Sequence, residues 1–242
     1  MGVWGKQIIK RLLGRFNYQI RYAHPEIVGG VDFEKDIRLL VKNKNPICFD
    51  VGANVGQTIE SMRKIFDRPR IYSFEPAVEV FSILQSKGFE SSVSLHNIAL
   101  GSSESRQEFI NYDSSDMSSF LPLTAVDDNP FRNVAIRNKA IVEVTTLDCF
   151  VAQHEIPAID LLKIDTQGYD LQVLMGAKKS LESGLVRNVL VELNFIPMYS
   201  LQCSPEELME FLQKFDIQLI DFYEKVRSGH KLSWCNALFS RC

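Results

Sequence analysis

The sequence predicts an α/β protein in which a mostly parallel β-sheet carries helices on both faces. Three observations predict it. Apolar runs of strand length alternate with helix-length segments through most of the 242 residues. Those runs are continuous in their apolar character, as buried parallel strands are, and do not alternate residue by residue. The first run also passes through a glycine-bearing loop straight into a helix. No internal repeat or long low-complexity tract interrupts the pattern.

Taken in order, Pro46 to Val51 reads as the first strand, and helical residues from Gln57 to Phe66 come after it. Arg70 to Glu75 is a second strand, and Glu79 to Lys87 a helix stopped by Gly88. Ser92 to Ile98 is a third strand. From Gly101 to Thr145 the composition turns polar, with seven serines and four aspartates, and two weak strands lie near Gln107–Tyr112 and Ile141–Thr145. A polar stretch this long inside a compact domain is either an active-site lid or a mobile loop. Alternation then resumes: a helix from about Leu147, a strand from Ile159 to Asp165, a helix from Tyr169 to near Gly184, and a strand from Val189 to Asn194. Pro205 opens a helix to about Phe215. Gln218–Tyr223 and Trp234–Phe239 form a closing hairpin around Ser228-Gly229.

Composition narrows the classes of function. Hydrophobic residues make up 45% and charged residues 24%, with a formal net charge of -3. No basic stripe covers the body of the chain, so nucleic acid is not an expected partner. The five cysteines are scattered and form no C-x-x-C pair, which signals neither a zinc site nor a disulfide framework. Reduced thiols and a cytoplasmic location are the expectation. No apolar run reaches the ~20 residues that span a bilayer. Residues 1–31 form an N-terminal extension in which Trp4, Ile8, Leu12 and Phe16 fall at helical spacing among Lys6, Lys10, Arg11 and Arg15. A helix packed over the main domain, residues 32–242, is expected; peripheral contact of residues 4–16 with an anionic membrane is the alternative.

The chemistry concentrates at strand ends. In Phe49-Asp50-Val51-Gly52-Ala53-Asn54-Val55-Gly56-Gln57-Thr58, Gly52 allows a tight turn and Gly56 a close approach, while Asn54 suits a left-handed conformation. The spacing misses the dinucleotide fingerprint G-x-G-x-x-G. Asp50 would repel a phosphate but suits the ammonium group of a bound amino acid. Glu75, at the end of the second strand, is placed to accept hydrogen bonds from both hydroxyls of a ribose. Together the two features favour an adenosine cofactor without a pyrophosphate.

A second polar cluster sits at the ends of later strands. Lys163 and Asp165 share one face of their strand, and Glu192 and Asn194 are likewise two apart. Charges in apolar strands are costly unless paired, and three readings stay open. Lys163 and Glu192 form a structural ion pair. Alternatively, Asp165 or Glu192 is a general base toward an acceptor hydroxyl, with Lys163 stabilising the alkoxide. In the third reading Asp165, Glu192 and Asn194 hold a Mg²⁺ ion. Tyr169, after the turn at Gly168, flanks the substrate. His24, His96, His154 and His230 have no partner at diagnostic spacing and are expected on the surface or at caps.

The order of these motifs resembles the FkbM-type methyltransferase family. The resemblance rests on Phe49 to Gly56, Phe74-Glu75-Pro76, Asn97-Ile98-Ala99-Leu100-Gly101 and Leu161 to Gly168, with Val173 to Ala177 and Asn236 to Phe239 in support, and covers roughly Asp32 to Arg241. It implies a class I methyltransferase (Rossmann-like) fold: a seven-stranded, mostly parallel sheet with an antiparallel last strand. It further implies S-adenosylmethionine as cofactor and O-methylation of a hydroxyl on a small molecule or glycan. Asp50, Gly52 and Asn54 would then lie at the methionine end, Glu75 at the ribose, and Asn97 to Leu100, including Ala99, near the adenine, with Gly56 and Thr58 also in the cofactor-binding set. Asp165 would sit beside the transferred methyl, with Lys163 and Glu192 in the catalytic set. Many members carry Glu where Gln167 and Asp170 stand, and Asp where Asn236 stands, which bears on the acceptor and on any metal. An NAD-dependent oxidoreductase or epimerase, or a non-catalytic cofactor-binding module, is the alternative function.

Overall fold

A computed structural model describes residues 29–241 of the chain. The N-terminal stretch with Trp4, Ile8, Leu12 and Phe16 lies outside the described residues. Helix α1 (Phe33–Leu40) leads to β1 (Ile47–Val51), α2 (Gln57–Ile65), β2 (Arg70–Phe74), α3 (Val78–Ser86) and β3 (Val93–His96). Strands β4 (Ala99–Leu100), β5 (Ser105–Tyr112) and β6 (Ile136–Thr145) are next, with a short 3₁₀ turn at Ser115–Met117. Then come α4 (Leu147–Gln153), β7 (Leu161–Ile164), α5 (Asp170–Met175), α6 (Lys178–Glu182), β8 (Asn188–Asn194) and α7 (Pro205–Gln213). The hairpin β9 (Ile217–Ser228) and β10 (Lys231–Arg241) closes the described chain.

Seven strands form one sheet in the order β3-β2-β1-β7-β8-β10-β9. The pairs from β3 through β8 are parallel, and β10 runs antiparallel to both β8 and β9. This is the expected class I arrangement. The strand order reverses between β1 and β7, so the crevice at their carboxyl ends is where such a sheet binds its ligand. Alternate residues of each strand feed two cores. Cys48, Ile71 and Leu161 pack with Ile37, Ile59, Met62 and Leu84 of α1, α2 and α3. Phe49, Phe74, Leu162 and Val191 pack with Phe150, Leu174, Leu181 and Leu212 of α4 to α7. Both faces are thus covered, which explains why the strand residues read as continuous apolar runs.

Several elements differ from the sequence reading. The helix expected from Tyr169 to Gly184 is two helices. Gly176 packs so tightly against the Gly101 carbonyl that a Cβ has no room, and the helix breaks there. Asp148 of α4 then accepts from the Lys179 and Ser180 amides at 2.9 Å and restarts the helix as α6. The expected third strand, Ser92 to Ile98, is the shorter β3, and an additional strand, β4, follows it in a different sheet. The weak strands are longer than expected and pair as β4-β6-β5, a separate three-stranded sheet. His96, expected at the surface or a cap, lies in β3 and stacks on Phe74 at 5.2 Å between ring centroids. Burial and the neighbouring His154 lower its pKa to about 4. Among the described residues no helix is long and apolar enough to cross a membrane, and Cys48, Cys149, Cys203 and Cys235 are free thiols.

Candidate active site

The loop after β1 is built on backbone freedom at three positions. Gly52 takes φ +85°, and a Cβ there would strike the Asp165 carbonyl, so the β1 and β7 loops touch backbone to backbone. Asn54 adopts φ 45°, the left-handed conformation its side chain tolerates. Gly56 takes φ +91°, and Leu84 of α3 fills the space where its Cβ would stand. The close approach at Gly56 is therefore to a helix and not to the crevice. Gly56 caps α2 without any side-chain hydrogen bond, which leaves the first amides of that helix open.

Glu75 locks this loop to β2. Its Oε2 accepts from the Asn54 amide at 2.9 Å and its Oε1 from the Ala77 amide at 2.8 Å. Each oxygen keeps a further lone pair. Burial raises its pKa to about 7, against the pull of those two amides. Asn97 stands outside the cavity lining and donates to the Glu75 and Pro76 carbonyls at 2.8 and 3.1 Å, fixing the turn that presents the carboxylate. Ala99 is buried and lines the cavity.

Register decides the second cluster. Asp50 of β1 lies directly beside Lys163 of β7 in the parallel ladder. Lys163 Nζ is 3.4 Å from Asp50 Oδ1 and 3.4 Å from Asp165 Oδ2. Asp50 is fully buried behind the lysine, while the Asp165 side chain is 33% exposed to the crevice. Burial works against the ammonium, but Asp165 and Asp50 outweigh it and hold Lys163 charged. Burial raises the Asp50 carboxyl above the usual carboxylate range, against the pull of Lys163, and among the described residues neither of its oxygens accepts a hydrogen bond of good geometry.

The Lys163–Glu192 ion pair, one of the three open readings, is not formed; the parallel register gives the lysine Asp50 and Asp165 instead. Glu192 lies one strand over, opposite Asn236, and Asn194 Nδ2 donates to its Oε1 at 3.4 Å. It lines a separate small hollow with Gly168, Asp170 and Asn194. Burial, then Asp165 and Asp170, raise its pKa well above the usual carboxylate range. Among the described residues no three His, Cys, Asp or Glu side chains gather in a metal-holding group.

Residues without a role in the sequence reading complete the crevice. Gln167 Nε2 donates to Asp165 Oδ1 at 2.7 Å. Gln167 itself takes φ 56°, and Ser119 Oγ donates to its carbonyl at 2.8 Å. Ser115 Oγ donates to Asn54 Oδ1 at 3.1 Å. The polar stretch is thereby fastened to both loops of the crevice. It also supplies Phe109 and Phe120, which with Leu100 and Ala99 line a cavity of about 230 Å³. The signal for those two was an aromatic pair inside a Ser- and Asp-rich segment. Tyr169, expected at the substrate, instead packs against Phe120 at 4.6 Å between centroids and donates to Gln107. The cavity continues past Gln57, Thr58, Lys163 and Asp165, which also line a larger groove.

Comparison with known proteins gives the same direction. The family described as the methyltransferase FkbM domain matches residues 50–219. The chain is similar to methyltransferase sdnD of Sordaria araneosa, 26% identical over 61% of this chain and 66% of that protein. It is also similar to hexuronic acid methyltransferase AglP of Haloferax volcanii, 25% identical over 65% of this chain and 61% of that protein. A third relative is the 2-O-methyltransferase NoeI of Sinorhizobium fredii, 21% identical over 76% of this chain and 77% of that protein. The chain therefore spans less than two thirds of the length of the first two relatives. The fold is also that of the crystal structure of methyltransferase FkbM from Methylobacillus flagellatus, with a TM-score of 0.55, 15% identity, and coverage of 81% of this chain and 44% of that one. The family match replaces the oxidoreductase and epimerase alternative, for which the loop after β1 offers no pyrophosphate cradle. The chain belongs to the FkbM methyltransferase family.

Proposed function

We propose that the protein transfers a methyl group from S-adenosylmethionine to a hydroxyl of a small molecule or glycan. The observation that carries this reading is the Asp165 carboxylate, held by Lys163 and Gln167 at the wall shared by the cavity and the groove.

The residues present fit that cofactor. Glu75 offers free lone pairs to a ribose diol, and Phe109, Phe120, Leu100 and Ala99 offer an apolar slot for a purine. The uncapped amides of α2 suit a carboxylate. The partly exposed Asp165 side chain at the cavity wall suits a sulfonium. When bound, the cofactor supplies an electrophilic methyl on that sulfonium.

The protein's own part is orientation and proton removal. The crevice aligns the acceptor oxygen with the methyl, the main source of rate when two reactants are held in line. Asp165 is placed to take the proton of the acceptor hydroxyl, which frees that oxygen's electron pair for the methyl that the bound cofactor would supply. Lys163 keeps Asp165 oriented and offsets charge on the developing alkoxide. The segment from Gly101 to Thr145 is the lid that covers the nucleoside end, and residues 32–242 act as one methyltransferase domain. Glu192 tunes the charge around Asp165 from its own hollow.

Transfer of labelled methyl from S-adenosylmethionine to hydroxylated acceptors tests the reading. The wild type should label an acceptor hydroxyl, and Asp165→Asn should lose roughly 10²- to 10⁴-fold in turnover with cofactor affinity kept. Full turnover in that variant excludes Asp165 as the base.

A further inference from the structure

We propose that the groove beyond Lys163 and Asp165 is the acceptor site, and that it selects a hydroxylated acceptor bearing a protonated amine over one bearing a carboxylate. The inference rests on the methyl-transfer reading above.

The position of the groove fits an acceptor site. The groove, about 990 Å³, is walled by the same Gln57, Thr58, Lys163 and Asp165 that close the cofactor cavity. Its size suits a small-molecule or oligosaccharide ligand. A molecule seated there reaches Asp165, which lines groove and cavity alike. The polar segment from Gly101 to Thr145 lines the cavity but not the groove. The acceptor side is formed by residues 30–34, α2, and the β9–β10 hairpin.

The charge of the groove fits an amine. Among the described residues that line the groove beyond the shared wall, Asp32, Glu34 and Glu224 are acidic and only Lys225 is basic. The charge of Lys163 is already taken by two carboxylates. Lys225 is drawn to the backbone, its ammonium donating to the Phe222 carbonyl at 2.7 Å. An anionic acceptor would enter against like charge, whereas an amine would be attracted and would find carboxylate partners. Phe33, Phe222 and Tyr223 add aromatic surface, which favours a cation over an anion.

Glu224 sets the selectivity most directly. It has φ 48°, uncommon for a residue with a side chain. It stands beside a register shift between Trp234 and Asn236 in the hairpin. Asn236 Nδ2 donates to its Oε2 at 2.5 Å. An acid at position 236 would set a like charge against this carboxylate, whereas the Asn236 amide gives it a donor and holds it at the groove wall.

The test uses the full chain at pH 6.5 with saturating S-adenosylhomocysteine. Methyl glucosaminide, methyl glucoside and methyl glucuronide are titrated by calorimetry, so that one ring scaffold carries an amine, no charge or a carboxylate. The glucosaminide should bind at least fivefold more tightly than the glucuronide. Glu224→Gln, at an exposed position, should narrow that gap by half or more. Equal affinities, a preference for the glucuronide, or no sugar binding while S-adenosylhomocysteine binds would each overturn the proposal. Failure of S-adenosylhomocysteine itself to bind would instead remove the methyl-transfer reading beneath it.

Discussion

The side-chain amide of Gln167 donates to Asp165 Oδ1 across 2.7 Å, while its own oxygen lies 2.9 Å from the Tyr199 hydroxyl. Asp165 is thus held on one oxygen by a neutral donor and on the other by Lys163. A neutral donor stabilises the carboxylate form without adding a competing acid. Gln167→Glu replaces that donor with a second carboxyl group in contact with the first. The two groups then share a proton at low pH, and ionising both requires a higher pH. The acid limb of the pH–rate profile should move upward in the variant. An unchanged limb would mean that Gln167 does not act on Asp165.

Glu75 makes cofactor binding pH-dependent. Burial raises its carboxyl to about 7 in the free protein, from an ordinary value of 4.5. With the folded value above the unfolded one, the stability it contributes is full below about 4.5 and is lost as pH rises through about 7. Hydroxyl donors of a ribose favour the ionised form, so ligand binding expels the proton. Affinity for S-adenosylhomocysteine should rise with pH up to about 7, by at most roughly tenfold per pH unit, and then level off. Calorimetric titrations at pH 5.5, 6.5 and 8 check this, and Glu75→Gln should flatten the dependence. A flat wild-type profile would contradict the assignment of Glu75 to the ribose.

Asp170 is a structural residue at the edge of the site. Its Oδ1 accepts from the Thr166 amide and hydroxyl at 2.9 and 3.1 Å, and its Oδ2 from the Gly168 amide at 3.1 Å. It is 2% exposed, and burial pushes its carboxyl up to about 6 against those donors. Asp170→Ala leaves three donors in the Thr166–Gly168 turn without their acceptor. A loss of roughly 2–4 kcal/mol in unfolding free energy is expected by denaturant titration. A loss below about 0.5 kcal/mol would show that the turn holds without it.

Most of this architecture was legible in the chain itself, and the exceptions share a cause. Strands β1, β2, β7 and β8 are buried on both faces, so their apolar runs marked them, and Gly52 and Gly88 marked the turns between elements. Strand β6 is exposed along most of its length, and such a strand has no hydrophobic signature to extend it beyond Ile141. The break between α5 and α6 depends on the Gly101 carbonyl and the Asp148 carboxylate, both remote in sequence. At the site, Asp50, Glu75, Lys163 and Asp165 could be picked out as polar residues at strand ends. Which of them pair could not, because the partner of Lys163 is set by the β1–β7 register. Gln167 stood out only as a departure from the family pattern and Ser119 not at all, and only the fold brings them together.

Every role proposed for these residues depends on the crevice between the β1 and β7 loops taking an adenosine cofactor with an amino-acid end and no pyrophosphate. Calorimetric titration of the full chain with S-adenosylhomocysteine and, separately, with NAD is the decisive measurement. A one-to-one complex of micromolar affinity with S-adenosylhomocysteine is expected, with no measurable heat from NAD. Binding of NAD without binding of S-adenosylhomocysteine would contradict the cofactor assignment.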